Sequence, residues 1–373
     1  MSRRVYVHVG APKTGTTYLQ DRLAKNSRSL GSHGVHIPSR APLMSTGMFH
    51  FRAALDLMGQ DWGGPAGHAE GAWEAMVRRV RRASGTVILS HEILAPAKPE
   101  HVARLKRDLA DPDTELHIVY SARDLARQAP AGWQESIKQG RRWSYGRYLR
   151  RVTTGTPWFA RAFDLPTVLS TWANGLPPDQ VHVVTVPPSD ADPDLLWRRF
   201  CTVFGIDPDL APEDSERTNP SLGSAEAQVL RALNQRIGRT TRSHPGYDAL
   251  ILGMLADETL GGQTPDGPTL GGNESRPILL PPELRDWARE RGEAWIEWLE
   301  QSGVDVVGDV AELLPEPWPE GATFRHPDRV SNKAQLRAAL DALAAMTEEA
   351  ASRPDPDASM LSRIRRAREA SRR

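Results

Sequence analysis

The sequence predicts an α/β fold: a doubly wound, mainly parallel sheet flanked by helices, with a helical C-terminal extension. Three observations lead there. Four short segments are rich in β-branched residues and almost continuously apolar, as strands covered on both faces are. Helical patterns lie between them, so strand and helix alternate. The first strand also runs through a glycine turn into a helix, the local plan of an anion-binding loop. The chain has 373 residues, enough for one large α/β domain with appendages.

The strands are "VYVHVG" (5–10), "TVILS" (86–90), "LHIVYSA" (116–122) and "VHVVTV" (181–186). Helical patterns cover Thr16 to Lys25, Trp73 to Ala83, Pro99 to Ala110, Ala126 to Gln139 and Leu165 to Ala173. Ligands of such sheets bind outside the carboxyl ends of the strands, so the residues just after each strand matter most. The character changes after Pro212. "SAEAQVLRALNQRI" (224–237) opens on a serine cap, and a Gly/Pro-rich loop follows at 261–277. A helix over 281–303 puts Trp287, Trp295 and Trp298 near one face, which reads as core. From about Ser331 an Ala-rich helix leads to a basic tail, "RIRRAREASRR", expected to be exposed. We therefore expect one α/β domain over 1–330 and a helical, partly exposed tail over 331–373. Helical elements at about 133–163 and 224–303 are candidate lid or acceptor walls.

Lys+Arg and Asp+Glu both number 47, so bulk charge gives no argument for nucleic acid and any anion needs a local site. Only 6 of those cations are lysines, against 41 arginines, which makes a lysine inside a glycine loop notable. The single cysteine, Cys201, excludes an intrachain disulfide and a cysteine zinc cluster. The segment "VYVHVG" is too short and strand-like for the core of a signal peptide. No apolar run approaches the ~20 residues that span a bilayer. A cytoplasmic location without an integral membrane segment is the expectation.

Gly10 and Gly15 have the spacing of the kinase loop G-x-x-x-x-G-K-[ST], but Thr16 follows Gly15 and the lysine stands earlier, at Lys13. A helix N-terminus behind a glycine turn favours phosphate, and Thr16 and Thr17 add hydroxyls. The stretch "PKTGTTYLQ" resembles the 5′-phosphosulfate loop, P-K-[ST]-G-T-T-x-[LF], of the sulfotransferases that use 3′-phosphoadenosine 5′-phosphosulfate (PAPS). Pro12, Lys13, Thr14, Gly15, Thr16, Thr17 and Leu19 match it. The resemblance implies a P-loop-type fold, PAPS as donor, PAP as product and no required metal. It implies that residues 12–18, Tyr18 included, bind the donor, with Lys13 at the bridging oxygen and 5′-phosphate.

A second signature of that family is a strand, an arginine and a serine eight residues later, both holding the 3′-phosphate. Arg123 fits, and guanidinium suits bidentate phosphate contact. Position 131 is Ala, where the family has its serine. Ser121 and Ser136 stand at other offsets, which leaves Gln128 or a backbone N–H as substitutes. "RDLARQ" and "TNPSLGSAEAQVL" are similar to a bacterial branch of the superfamily, implying that Asn219 and Ser221 close over the nucleotide. The resemblance runs over roughly 4–235, with the donor-site signatures inside 5–136.

Sulfuryl transfer needs a base to take the acceptor's proton. "VILSHEILA" places Glu92 and His91 at a strand end; carbohydrate-type sulfotransferases use Glu there and cytosolic ones His. On that resemblance Glu92 is the first candidate and His91 the second; neighbours on extended chain point to opposite sides, so only one is expected to face the site. His50, in "GMFHFR", is a third, on an acceptor-side loop. The aromatics of 133–163, Trp133 among them, suit an aryl, sugar or lipid acceptor as well as a packed cap. The expected activity is sulfation of a hydroxyl, or else an amine, of a small molecule, glycan or glycolipid. An ATP-dependent small-molecule kinase and a non-catalytic PAP-binding module are the alternatives.

Overall fold

The computed structural model describes residues 3–41, 43–217, 221–238, 276–318 and 323–352, with Leu255 and Leu260. The expected Gly/Pro-rich loop and the basic tail lie outside most or all of these residues, and Asn219 lies outside them too. The strands are β1 (Arg3–His8), β2 (Val35–His36), β3 (Gly85–Ser90), β4 (Thr114–Ala122), β5 (Val181–Thr185) and β6 (Asp305–Val307). They form one parallel sheet in the order β2-β3-β1-β4-β5-β6. The four expected strands are its four central ones. The two edges, β2 and β6, are two and three residues long, too short to leave a pattern in sequence.

The helices are α1 (Thr16–Lys25), α2 (Ser27–Ser32), α3 (Thr46–Leu57), α4 (Ala72–Arg82), α5 (Pro99–Leu109), α6 (Leu125–Lys138) and α7 (Tyr145–Thr153). They continue as α8 (Trp158–Phe163), α9 (Leu165–Ala173), α10 (Leu195–Phe204), α11 (Ser224–Arg236), α12 (Arg285–Ser302) and α13 (Asn332–Ser352). Strand alternation divides them between two faces. Val5, Val7, Val87, Leu89, Ile118 and Val183 pack with α3 to α9 and α12. Tyr6, Ile88, Val119 and Val184 pack with Leu19, Leu23 and Leu30 of α1 and α2 and with Phe200 and Phe204 of α10. The sheet is thus doubly wound, as expected. On α13, Ala334 and Ala338 bury against Ala225 of α11, while Leu336, Leu340 and Leu343 stay exposed.

This order places β1 between β3 and β4. The chain leaves the carboxyl ends of these three neighbours as the Gly10–Gly15 turn, as His91–Glu92 and as Arg123.

Candidate active site

Beyond β1 the chain stays zipped to β4, with Val9 N–H donating to the Val119 carbonyl and Ala11 N–H to Ser121, both at 2.9 Å. It then turns. Gly10 (φ +114°) and Gly15 (φ +93°) hold left-handed conformations that side chains disfavour. A Cβ on Gly10 would stand 3.2 Å from Glu92 Cα, and one on Gly15 would stand 2.7 Å from Leu196 Cδ2. Glycine is therefore favoured at both for conformation, and at Gly10 also by the close backbone of Glu92.

Buried polar groups post the loop from behind. Thr14 Oγ1 donates to the Ala11 carbonyl and meets Ser121 Oγ, each at 2.5 Å. The His8 ring bridges Ser121 Oγ (3.0 Å) and Ser90 Oγ (2.8 Å), and burial pushes it down to about 3, so it stays neutral. Gln128 Nε2 donates to the Pro12 carbonyl at 3.0 Å, and Arg123 Nη1 to the Lys13 carbonyl at 3.3 Å. Gln128 is thereby spent on the loop, not on the place of the missing serine.

In front of the loop is a cavity of about 200 Å³, lined by Lys13, Gly15, Thr16, Thr17, Tyr18, Glu92, Arg123, Ala131, Gln134, Lys138, Arg217 and Ser221. Of the expected donor-loop residues, Pro12 and Thr14 do not line it, and Thr14 is buried behind it. In this structure both act as supports of the loop, Thr14 through its hydroxyl and Pro12 through its carbonyl. Gly15 caps α1 without a side-chain hydrogen bond, and the first turn of α1 has no acidic residue. Its leading N–H groups and positive dipole end therefore face the cavity uncompensated by a carboxylate of that turn.

Charge is concentrated here. Lys13 Nζ donates to Glu135 Oε2 at 3.1 Å, with both side chains mostly buried. Burial, and then the charge of Glu135, push Glu92 up to about 7, against the opposing pull of Lys13 and of the Thr16 hydroxyl beside it. Burial lowers Arg123 to about 10, which still leaves it a cation at neutral pH. Two buried donors that line the cavity, Arg123 Nε and Thr16 Oγ1, make no well-formed hydrogen bond among the described residues. Such atoms are costly unless something accepts from them.

The strand end sorts its two candidate bases. The Glu92 side faces the cavity, whereas the His91 ring packs 5.3 Å from the Phe51 ring and its Nδ1 accepts from Ile93 N–H at 3.3 Å, capping a single 3-10 turn. Burial pushes His91 down to about 3. His91 is corrected to a structural group. So is His50, which sits in α3 rather than on a loop. Its Nε2 donates to the Pro38 carbonyl at 2.8 Å and its Nδ1 accepts from Ser90 N–H at 3.1 Å, splinting the strand that carries Glu92.

Trp133 is fully buried, packs at a tilt against Tyr145 with ring centroids 5.0 Å apart and donates from Nε1 to the Trp143 carbonyl at 3.0 Å. It is corrected from an acceptor contact to core. Tyr145, Tyr148, Phe159 and Phe163 share that core, while Trp143 and Trp158 of the same segment are half-buried at its edge.

Gln134, Glu135, Lys138 and Arg217 were not among the expected residues. With Ala131, the first three follow the i, i+3, i+4, i+7 spacing of one helical face, a signal present in the sequence. Arg217 arrives differently. The segment before it is tied to α1, where Asp21 accepts from Ser215 Oγ (2.9 Å) and from the Glu216 N–H (3.1 Å). Ser221 is placed by Leu222 N–H, which donates to Gln134 Oε1 at 2.7 Å.

Fold and site together define an α/β protein with a cavity at the carboxyl edge of its central strands, lined by Lys13, Arg123, Lys138 and Arg217 beside Glu92. No family model matches the chain, and no curated protein matches it. Among solved structures, a sulfotransferase from Alicyclobacillus acidocaldarius aligns over 65% of this chain and 100% of its own, at 20% identity and a TM-score of 0.39. A likeness that distant adds no argument to the geometry above. No described helix is long and apolar enough to cross a membrane.

Proposed function

We propose that the protein transfers a sulfuryl group from PAPS to an acceptor hydroxyl. The observation that carries this is the convergence of Lys13, Glu92 and Arg123, from three adjacent strands, on one cavity where the buried Arg123 Nε has no hydrogen-bond partner among the described residues. The donor's 5′-phosphosulfate would lie on the α1 N-terminus, with oxygens on the first-turn amides and the Thr16 and Thr17 hydroxyls. Arg123 would take the 3′-phosphate. Ala131 leaves a gap there, which the charges of Lys138 and Arg217 and the hydroxyl of Ser221 border.

In the transfer, the acceptor oxygen attacks sulfur in line and Glu92 removes its proton. The bond from sulfur to the phosphate oxygen breaks, and Lys13 with the loop amides stabilises the charge left on that oxygen. PAP then departs. A carboxyl at about 7 is suited to this task, because it is partly ionised at neutral pH and basic enough to accept the proton. The acceptor class is a small molecule, glycan or lipid-linked alcohol, with no nucleic acid partner, and the setting is cytoplasmic.

Calorimetry with PAP, PAPS and Mg·ATP tests the donor. Binding of PAP and PAPS and neglect of Mg·ATP is expected; tight Mg·ATP with no PAP would replace the reading with a kinase. Incubation with ³⁵S-labelled PAPS and an extract of the native host tests turnover. PAP binding with no labelled product would leave a nucleotide-binding module.

A further inference from the structure

Lys13 is the one cation of the loop itself, yet its ammonium already has a partner. Glu135 reaches it from α6, a turn beyond Ala131. The carboxylate is fixed from its other side as well, because its Oε1 accepts from Gln139 Nε2 at 3.0 Å. The pair is shielded, with side-chain exposures of 13% for Lys13 and 20% for Glu135, so water screens it weakly. Burial alone would raise Glu135. The charges of Lys13 and Lys138 and the hydrogen bonds from Lys13 and Gln139 outweigh that and hold it below the ordinary glutamate range, hence ionised.

Lys13 therefore feels two carboxylates in different states, Glu135 held ionised and Glu92 raised so that it is only partly ionised at neutral pH. An arriving anion must compete with Glu135 for the same ammonium. Conversely, Glu135 keeps that ammonium on the α6 side when no anion is there.

We propose that Glu135 is a positioning residue that holds Lys13 by a carboxylate latch which the phosphosulfate must displace. The latch rests on the donor reading above. No bond to Glu135 is made or broken in the transfer, and it touches neither sulfur nor acceptor. It acts through Lys13, and through its charge on Glu92. Binding the donor exchanges one anion for another at Lys13 and leaves Glu135 to Lys138 and Gln139.

The test is Glu135→Gln, nearly isosteric and so expected to fold, beside Glu135→Asp, which keeps the charge on a shorter arm. The chain has six lysines, so lysine-selective ¹⁵N labelling gives few ammonium signals, and Lys13→Arg assigns the one of interest. In the unliganded protein the Lys13 signal should be slowed in exchange, and Glu135→Gln should abolish that. PAP should bind Glu135→Gln about tenfold more tightly, since a competitor of roughly 1.4 kcal/mol is gone. The acid limb of the rate profile should move to lower pH in Glu135→Gln, because the like charge beside Glu92 is removed, and stay near the wild-type position in Glu135→Asp. An unchanged Lys13 signal, or unchanged PAP affinity with an unmoved acid limb, would overturn the latch. A changed Lys13 signal with no PAP binding to either protein would uphold the ion pair and overturn the donor reading on which its role depends.

Discussion

Two regions of this chain advertise function in sequence, the glycine loop at 10–18 and the aromatic run at 133–163, and the fold treats them oppositely. The loop turns five of its residues, Lys13 and Gly15 to Tyr18, onto an open cavity. The aromatic run turns Trp133, Tyr145, Tyr148 and Phe163 into the core. The boundary between the two treatments passes through α6 itself. Trp133 and Ile137 face the packed side of that helix, while Ala131, Gln134 and Lys138 face the cavity. Aromatic area is drawn to wherever burial is greatest, and here that is the layer between sheet and helices. Polar groups left without partners are the better pointer to a ligand.

The sharpest test of this contrast is Lys13→Ala, which should abolish sulfuryl transfer in the labelled-donor assay while leaving the melting temperature within a few degrees. A fully active Lys13→Ala enzyme would dissolve the distinction between loop and core.

Glu92→Gln comes next, with turnover expected to fall by about 10²–10⁴-fold and PAP affinity retained. Wild-type activity should rise with pH through about 7 as Glu92 ionises. Stability should run the other way. A carboxyl raised from 4.5 to about 7 favours the fold while protonated, fully so below the unfolded value, and that contribution is lost as pH rises through about 7. The ionised form is then disfavoured by roughly 3 kcal/mol. Denaturant titration should therefore find Glu92→Gln more stable than wild type at pH 8, with the gap closing towards pH 5. Equal stabilities at both pH values would mean that Glu92 is not confined as described.

On the aromatic side, Trp133→Ala should lower stability by about 3–5 kcal/mol through a cavity and a lost Nε1 hydrogen bond. A Trp133→Phe protein that is stable but raises only the acceptor KM would restore the lid expectation. The smallest effect is expected for Ala131→Ser. It adds a hydroxyl facing the cavity and should tighten PAP by a few-fold, the scale of one hydrogen bond. It should leave adenosine 5′-phosphosulfate, which lacks the 3′-phosphate, untouched; equal gains for both would place the 3′-phosphate elsewhere.

Much of the fold was legible because buried parallel strands write themselves as short apolar runs, and all four central ones do so. β2 and β6 were not, since edge pairings of two or three residues depend on a neighbouring strand rather than on a pattern of their own. Within the site, Gly10, Gly15 and the displaced Lys13 were legible as a motif, and Glu92 and Arg123 from their places after strands. Resemblance alone ranks Glu92 above His91; the direction each side chain takes from the strand end comes only from the fold. Glu135 could have been found from its spacing to Ala131 and Lys138. Arg217 could not, because a contact between α1 and the 215–217 segment brings it in.

The central position of β1 has a consequence for how the molecule is made. Its partners are β3, at 85–90, and β4, at 114–122, so β1 has no ladder on either edge until β3 is synthesised and none on its second edge until β4 follows. At ~5–20 residues per second, that leaves the apolar "VYVHV" strand unpaired for on the order of ten seconds on a nascent chain. Pairings this distant in sequence also slow refolding from denaturant. Sustained yield in a cell will therefore depend on whatever shields the first strand during that interval, and dilution and low temperature should help recovery in the test tube.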